Sequence, residues 1–320
     1  MSSDDANLPN YDYKVSTAAP LAFAAIYGVC LLIHLTQAFY HRTPWIWAFL
    51  IGVMLEVLGF ITRYISIKQL YTLWPIIVSQ VALIVAPAFL AAGCYSCSGR
   101  LMSYLGGQYS PMNHHFITKI FVVADFFSIF SQAIGGSLLS STDPNTLRAG
   151  FNILIAALAF QVLMFSGFIV VTVMFDIRSR RGLGEQRKAV QPIFNVLYLS
   201  SAMIVIRSIY RLIEFASVKF TPTGASGYTL NHEWLLYVWD ALPIIIAVLT
   251  ISVAHPGRYL PQKKGERIDG TFEEPQPSRV CGCCCIYKRP RPIKYDATGM
   301  PMHKFNSSTV PIVSQPQYNV

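Results

Sequence analysis

Seven long apolar runs constrain this chain more than any other feature of its sequence. They cover residues 18–40, 45–67, 75–99, 116–140, 150–175, 192–214 and 234–254. Each run reaches the roughly 20 residues that a helix needs to cross the hydrocarbon core of a bilayer. Charged residues make up 13% of the chain, against about 25% in a typical soluble domain. The sequence therefore predicts an all-α membrane protein, folded as a seven-transmembrane-helix bundle.

Basic residues near the helix ends predict the orientation of the bundle. On the side where the seventh run ends lie Arg42, Arg100, Lys119, Arg178, Arg180, Arg181, Arg187, Lys188, Arg258, Lys263, Lys264 and Arg267. On the opposite side lie Lys14, Lys68, Arg148 and Lys219. Because basic residues favour the cytosolic side, we expect the N-terminus outside and the C-terminal tail in the cytosol. The net charge of +9 then reflects topology and anionic lipid rather than nucleic acid.

Composition divides the chain into three parts. Residues 1–17 form a polar N-terminal segment that we expect to be extracellular, and residues 18–257 form the membrane domain. Residues 258–320 are rich in Pro, Lys, Arg and Ser, which predicts a disordered cytosolic tail. Between the apolar runs the connections are short, except for two loops of moderate length and a longer one predicted at 176–191.

Polar side chains recur at helical spacing inside the apolar runs. Four segments carry two of them seven residues apart, which places both on one helix face. The pairs are Glu56 with Arg63, Asp125 with Gln132, Arg207 with Glu214, and Glu233 with Asp240; Arg211 shares the face of Arg207. In the predicted orientation the set lies between mid-membrane and the outer surface, and the inner half holds no comparable set.

Two interpretations of these side chains remain open. A charge at the centre of a lipid-facing helix costs about 2.5–3.5 kcal/mol on insertion scales, so the charges face protein or water. They either pair with one another and hold the bundle together, or line a polar cavity that opens to the outer leaflet. Acids outnumber arginines in the set, so such a cavity suits a cationic or hydroxylated head group.

Several motifs resemble those of a known family. The second run has Glu56-x-x-Gly59-Phe60-x-x-Arg63, and the third has Ala86-Pro87-Ala88-Phe89-Leu90-Ala91-Ala92 followed by Tyr95. The fourth has Asp125-x-x-Ser128-x-x-x-Gln132-x-x-Gly135-Gly136, and the sixth has Arg207-x-x-Tyr210-Arg211-x-x-Glu214. The seventh has Glu233-x-x-x-Tyr237-x-x-Asp240-x-x-Pro243 before His255-Pro256-Gly257. Together they resemble the fungal RTA-like family, the lipid-translocating exporters that include aminocholesterol-resistance and sphingoid long-chain-base translocator-like proteins.

The resemblance implies transport of an amphiphilic lipid, sphingoid base-like or sterol-like, and resistance to toxic amphiphiles. It implies residence in the plasma membrane or another cell membrane, and we expect the fungal plasma membrane. We expect lipid and the bilayer as partners, no nucleic acid and no cofactor. On both grounds the candidate ligand-binding residues are Glu56, Arg63, Asp125, Gln132, Arg207, Tyr210, Arg211, Glu214, Tyr237 and Asp240. We expect the acids to bind amine or hydroxyl groups, the arginines to balance them or contact a phosphate, and the tyrosines to add hydrogen bonds.

Other function classes fit the sequence less well. A seven-helix lipid-sensing receptor or stress-response membrane protein without transport activity is the alternative. However, Cys97-Ser98-Gly99-Arg100 stands at the inner end of the third run, where an Asp-Arg-Tyr-like motif would be expected. A zinc enzyme needs histidines at ligand spacing inside the bundle, and only His34 lies clearly within a run. The sequence contains no phosphate-binding loop of the kind that a primary pump needs to bind a nucleotide. We therefore expect a non-enzymatic protein, with transport facilitated or driven by an ion gradient.

The tail carries a separate cysteine cluster. It consists of Cys281, Cys283, Cys284 and Cys285, with basic residues on both sides. Cytosolic cysteines beside basic residues favour S-palmitoylation, so we expect lipidation there rather than metal binding.

Overall fold

The fold is a bundle of long helices. The computed structural model describes residues 17–69, 72, 74–111, 114–139, 143–221, 224–226, 233–261 and 268. Within them, seven helices are long and apolar enough to cross a membrane. They are α1 (Ala18–Tyr40), α2 (Trp47–Lys68), α3 (Trp74–Leu105), α4 (His114–Leu138), α5 (Pro144–Leu183), α6 (Gln191–Ala216) and α7, whose consecutive segments are Glu233–Leu235, Leu236–Ala241 and Leu242–Val253. The predicted seven-helix fold is confirmed, and the chain is a multi-pass membrane protein.

Short elements connect the helices. A hairpin of two antiparallel strands, β1 (Lys219–Thr221) and β2 (Gly224–Ser226), lies between α6 and α7. We call this side of the bundle, where α1 begins, the hairpin side, and the side where α7 ends the tail side. Residues 1–16 lie outside the described part of the chain, so the extracellular N-terminus stays a prediction, as does the orientation.

The first part of the predicted tail contacts the bundle. Leu260 is buried, and the guanidinium of Arg100 donates to the carbonyl oxygen of Pro261 at 3.4 Å. The backbone N–H of Ile268 donates to the carbonyl oxygen of Tyr104 at 3.0 Å. These described residues therefore cover the tail-side end of α3, contrary to the expectation of disorder from residue 258 onwards. Residues 281–320 lie outside the described residues.

Small residues bring α2 and α3 close together. A Cβ atom on Gly93 would lie 2.6 Å from the Cβ of Phe49, and one on Gly59 would lie 2.7 Å from the Cδ2 of Leu83. Ser79 also donates its hydroxyl to the carbonyl oxygen of Gly59 at 2.9 Å. This tight contact fixes the position of Glu56 relative to α3.

The predicted loop at 176–191 is wrong. Helix α5 continues to Leu183, and a 3₁₀ segment, Gly184–Val190, leads directly into α6. The reason is an ion cluster in which Asp176 accepts from Arg180 at 2.9 Å and pairs with the buried Arg187. Arg187 also lies over the ring of Phe194, 4.5 Å from its centroid. The tail side thus holds a polar set of its own, which the sequence reasoning missed.

Helix α7 contains a π-helical stretch, Leu236–Ala241, in its hairpin-side half. The backbone N–H of Leu242 bonds to the carbonyl oxygen of Tyr237, five residues earlier. The irregularity precedes Pro243, which cannot donate a backbone hydrogen bond. Such π-bulges occur frequently at functional sites, and this one contains both Tyr237 and Asp240.

Three side chains of α1 attach it to the backbone of α7. Tyr27 donates its hydroxyl to the carbonyl oxygen of Ala241 at 2.8 Å. His34 Nε2 lies 3.0 Å from the carbonyl oxygen of Val248, and the Gln37 amide donates to that of Ser252 at 3.0 Å. These bonds hold α1 along α7 from Ala241 to Ser252 and locate His34 in a structural role.

Candidate functional site

Two arginines of α6 meet one aspartate of α7 inside the bundle. Arg211 donates Nε to Oδ1 of Asp240 and Nη2 to Oδ2, both at 2.7 Å. The Nε of Arg207 lies 3.0 Å from the same Oδ1, and Nη1 of Arg211 donates to Oε2 of Glu214 at 2.9 Å. The helical spacing of 207, 211 and 214 puts the three α6 side chains on one face, and the π-helical stretch presents Asp240 to them.

These charges are enclosed by protein. Asp240 is 1% exposed, Arg207 3%, Arg211 4% and Glu214 8%. Removing ions from water is costly, and close pairing with good hydrogen-bond geometry is what offsets the cost. The described residues therefore form a closed ion cluster, not the open outer-leaflet cavity of one interpretation. The pairing interpretation describes this part of the structure better.

A proline of α3 supplies a further contact to the ion cluster. Pro87 has no backbone N–H, so the carbonyl oxygen of Leu83, four residues earlier, lacks its usual helical donor. The guanidinium of Arg207 donates to that oxygen. The Ala86-Pro87-Ala88 motif of α3 and the Arg207 motif of α6 are thus two halves of one interaction.

Glu56 of α2 is a further carboxyl group near these residues, and none of the ion pairs described above includes it. It is 1% exposed, and its Oε1 has no hydrogen-bond partner among the described residues. Arg207, Asp240 and Arg211 are the charged groups that act on it electrostatically. Glu56, Arg207, Arg211, Glu214 and Asp240 form what we call the charged cluster.

An aromatic layer packs beside the charged cluster. Tyr237 stacks on Phe23 with ring centroids 5.0 Å apart, and Tyr27 stacks on Phe60 at 5.5 Å. Phe23 and Phe60 are also 5.5 Å apart. Tyr237, predicted as a hydrogen-bonding site residue, contributes its ring to this layer. Phe23 is only partly buried, so the layer reaches the lipid-facing surface.

A second polar group lies between α3, α4 and α5. The Tyr95 hydroxyl donates to Oδ2 of Asp125 at 2.8 Å. The amide of Gln132 donates to the hydroxyl of Ser128 at 3.0 Å and to Oε1 of Gln161 at 2.9 Å. Oδ1 of Asp125 and Oε1 of Gln132 have no hydrogen-bond partner among the described residues. We call these five residues the neutral-donor cluster, because no ion pair to Asp125 occurs in the described part of the chain.

The structure thus separates the predicted site residues into two groups. Glu56, Arg207, Arg211, Glu214 and Asp240 come together, whereas Asp125 and Gln132 belong to the neutral-donor cluster. Arg63 and Tyr210 are buried on α2 and α6, at 4% and 9% exposure. Tyr95 and Gln161 were not predicted as site residues. Gln161 could have been found as an amide in the middle of an apolar run, and Tyr95 lies in the quoted motif of the third run.

Other candidate sites carry less chemistry. An apolar pocket nearer the tail side is lined by Phe49, Cys97, Leu197 and Ile251, among others, and by none of the predicted site residues. No group of three or more His, Cys, Asp or Glu side chains suited to a metal ion occurs among the described residues. The predicted lipidation sites Cys281, Cys283, Cys284 and Cys285 lie outside those residues.

Comparison with known proteins gives consistent matches over most of the chain. Residues 49–263 match the family described as RTA1 like protein. The chain is 30% identical over 292 residues to protoporphyrin uptake protein 1 of Saccharomyces cerevisiae, covering 79% of this chain and 94% of that one. It is 27% identical to the probable lipid transporter atnI of Emericella nidulans, covering 78% and 67%. It is 28% identical to a sphingoid long-chain base transporter of S. cerevisiae, covering 78% and 72%. No solved structure matches.

Proposed function

Because this chain belongs to the RTA1-like protein family, we propose that it moves an amphiphilic lipid across the membrane that its helices span. Relatives named as a lipid transporter and as a sphingoid long-chain base transporter support this class of activity. Resistance to toxic amphiphiles follows if the movement removes them from the cell. The fungal plasma membrane is the proposed location.

The observation that carries the proposal is the unsatisfied Oε1 of Glu56 beside buried ion pairs. A buried acceptor without a donor costs free energy comparable to a lost hydrogen bond. A ligand that donates to this oxygen recovers that free energy and forms a charge-assisted hydrogen bond, which is about twice as strong as a neutral one. Glu56 is therefore the proposed contact for the head group.

The chemistry of this contact favours an amine. An ammonium group has three donors and no acceptor, so it complements a carboxylate, and aromatic faces such as those of Phe23 and Tyr237 also attract cations. A long-chain base combines such an amine with hydroxyl groups. The relative with protoporphyrin in its name raises a second substrate class, but the carboxylates of a porphyrin accept hydrogen bonds rather than donate them and so do not satisfy Oε1 of Glu56. A sterol-like amine fits the same contact.

Entry of a head group requires the charged cluster to open. Every member of the cluster is buried, so the structure is a closed state. Separation of α7 from α6 breaks the Asp240–Arg207 and Asp240–Arg211 pairs, and the head group then replaces part of that pairing while its chain stays in the bilayer. We assign the cluster to binding and transport rather than to catalysis. Protonation of Glu56 or Asp125 is the proposed coupling step if an ion gradient drives transport.

The test is a vesicle assay with purified full-length protein. Labelled sphingoid base, labelled phosphatidylcholine and a porphyrin are each followed across the bilayer. We expect Glu56→Gln to slow sphingoid-base movement about tenfold or more, because the ligand loses a charge-assisted hydrogen bond. The matched control is Asp143→Asn at the exposed N-cap of α5, where asparagine caps as well as aspartate.

The outcomes separate the function classes. Equal sphingoid-base rates in wild-type, Glu56→Gln and empty vesicles contradict the transport proposal. Saturable binding without movement indicates the receptor alternative instead. Faster porphyrin than sphingoid-base movement assigns the contact to the other substrate class.

A further inference from the structure

Helix α5 is longer than the membrane it crosses. It has 40 residues, which corresponds to about 60 Å at a rise of about 1.5 Å per residue. The hydrocarbon core is about 30 Å thick. Part of α5 therefore lies in the head-group region or beyond it, and its tail-side end carries Arg178, Arg180 and Arg181.

The outer face of α5 changes from apolar to basic along one stripe. Leu163, Val170, Met174 and Arg181 recur at spacings of seven, four and seven, so they share a helix face. Leu163 is 69% exposed and Val170 57% exposed, and Met174 is also exposed. Arg181 continues the stripe and Arg178 flanks it, and both are exposed. An acyl chain along the apolar part leads a head group directly to the two guanidinium groups.

The nearby aspartate does not oppose an anion at this position. Asp176 is buried and already pairs with Arg180 and Arg187, so its charge is compensated. The same pairs fix the 3₁₀ segment that follows α5, which gives the basic end a defined shape. Arg178 and Arg181 are thus free of this ion cluster and lie on the lipid-facing side of it.

We propose that the tail-side end of α5 is a binding site for an anionic phospholipid. Its phosphate contacts Arg178 and Arg181, because guanidinium groups bind phosphate through paired, charge-assisted hydrogen bonds. Its acyl chain lies along Leu163, Val170 and Met174. This lipid is a component of the surrounding leaflet and not the transported lipid. The site is on the lipid-facing surface of the bundle, whereas the charged cluster is buried within the bundle. The proposal does not depend on the proposed transport function.

Native mass spectrometry of the full-length protein tests the site. The protein is released from membranes that contain phosphatidylserine and phosphatidylcholine with identical chains, and the retained lipids are counted. We expect wild type to retain phosphatidylserine selectively, and Arg178→Gln/Arg181→Gln to lower its apparent affinity about tenfold or more, since two side chains that attract the anionic head group are removed. Arg178→Lys/Arg181→Lys should retain part of the selectivity.

The matched control is Lys68→Gln/Arg148→Gln, which removes two exposed basic side chains from the hairpin side. Because Arg148 is on the same helix, this variant separates a site from a general effect of net charge. Equal loss in both variants, or equal retention of both lipids by wild type, overturns the proposal. Displacement of the lipid by inorganic phosphate alone would show that the acyl chain does not contribute to binding, and this result also overturns the proposal. A dimer that Arg178→Gln/Arg181→Gln dissociates reassigns this face to a second copy.

Discussion

The two polar clusters inside this bundle hold their carboxyl groups in different ways. In the charged cluster, Asp240 is held by two arginines. In the neutral-donor cluster, Asp125 is held by the hydroxyl of Tyr95. Both aspartates are almost fully buried, so the difference is in the partner and not in the environment. In the charged cluster, opposite charges compensate one another. In the neutral-donor cluster, Asp125 can gain or lose a proton without leaving an arginine unpaired.

The largest expected effect is the contrast between the two aspartates. Asp240→Asn leaves Arg207 and Arg211 buried beside a neutral amide, and loss of one partner of a buried ion pair costs about 3–5 kcal/mol. Asp125→Asn keeps an acceptor for Tyr95 and strands no cation, so we expect a cost of about 1 kcal/mol. Unfolding free energies of the two variants, measured in detergent, give the comparison. Equal costs would contradict the distinction between the clusters.

A smaller effect is expected when the neutral donor is removed. Tyr95→Phe leaves the buried Oδ2 of Asp125 without its hydroxyl donor, which costs about 1–3 kcal/mol. The same unfolding measurement checks it. Tyr64→Phe, which also removes one hydroxyl but on the partly buried face of α2, serves as the control and should stay within about 0.5 kcal/mol. If both substitutions cost the same, the Tyr95–Asp125 hydrogen bond contributes little.

The smallest expected effect tests the link between α3 and the charged cluster. Pro87→Ala restores a backbone N–H that competes with Arg207 for the carbonyl oxygen of Leu83. A double-mutant cycle with Arg207→Gln should therefore show a coupling energy between about 0.6 and 1.7 kcal/mol, the average and the maximum of such cycles in a membrane helix bundle. The cycle of Pro87→Ala with Arg148→Gln should be additive. Additivity in both cycles would remove the link.

The sequence was sufficient to predict the helices, but not to predict which side chains pair with one another. Apolar runs gave all seven helices because length and composition decide what can cross a bilayer. The run ending at 175 gave no sign that α5 continues to Leu183, since Asp176, Arg180 and Arg187 resemble loop residues until their ion pairs are seen.

The candidate site shows the same limit in more detail. Spacing on α6 predicted that Arg207, Arg211 and Glu214 share a face, but spacing within a helix does not reveal the partner on another helix. Asp240 is predicted to bind a head group, which stays a prediction, and the structure shows two arginine partners that the spacing did not indicate. The Arg207–Leu83 contact did have a readable signal, because a proline inside a helix always releases the carbonyl four residues earlier.

The π-helical stretch of α7 makes the position of Asp240 depend on the number of residues in that stretch. A π-helical turn contains one more residue than an α-helical turn, and one residue corresponds to about 100° of rotation. The extra residue is accommodated within the stretch. Loss of one residue after Asp240, such as Ala241, therefore lets the turn close as an α-helical turn and moves Asp240 by one position relative to the part that α1 holds at Val248 and Ser252. The amino-acid composition of the segment would hardly change. In comparing members of this family, the number of residues across this stretch thus carries structural information that the identities of those residues do not.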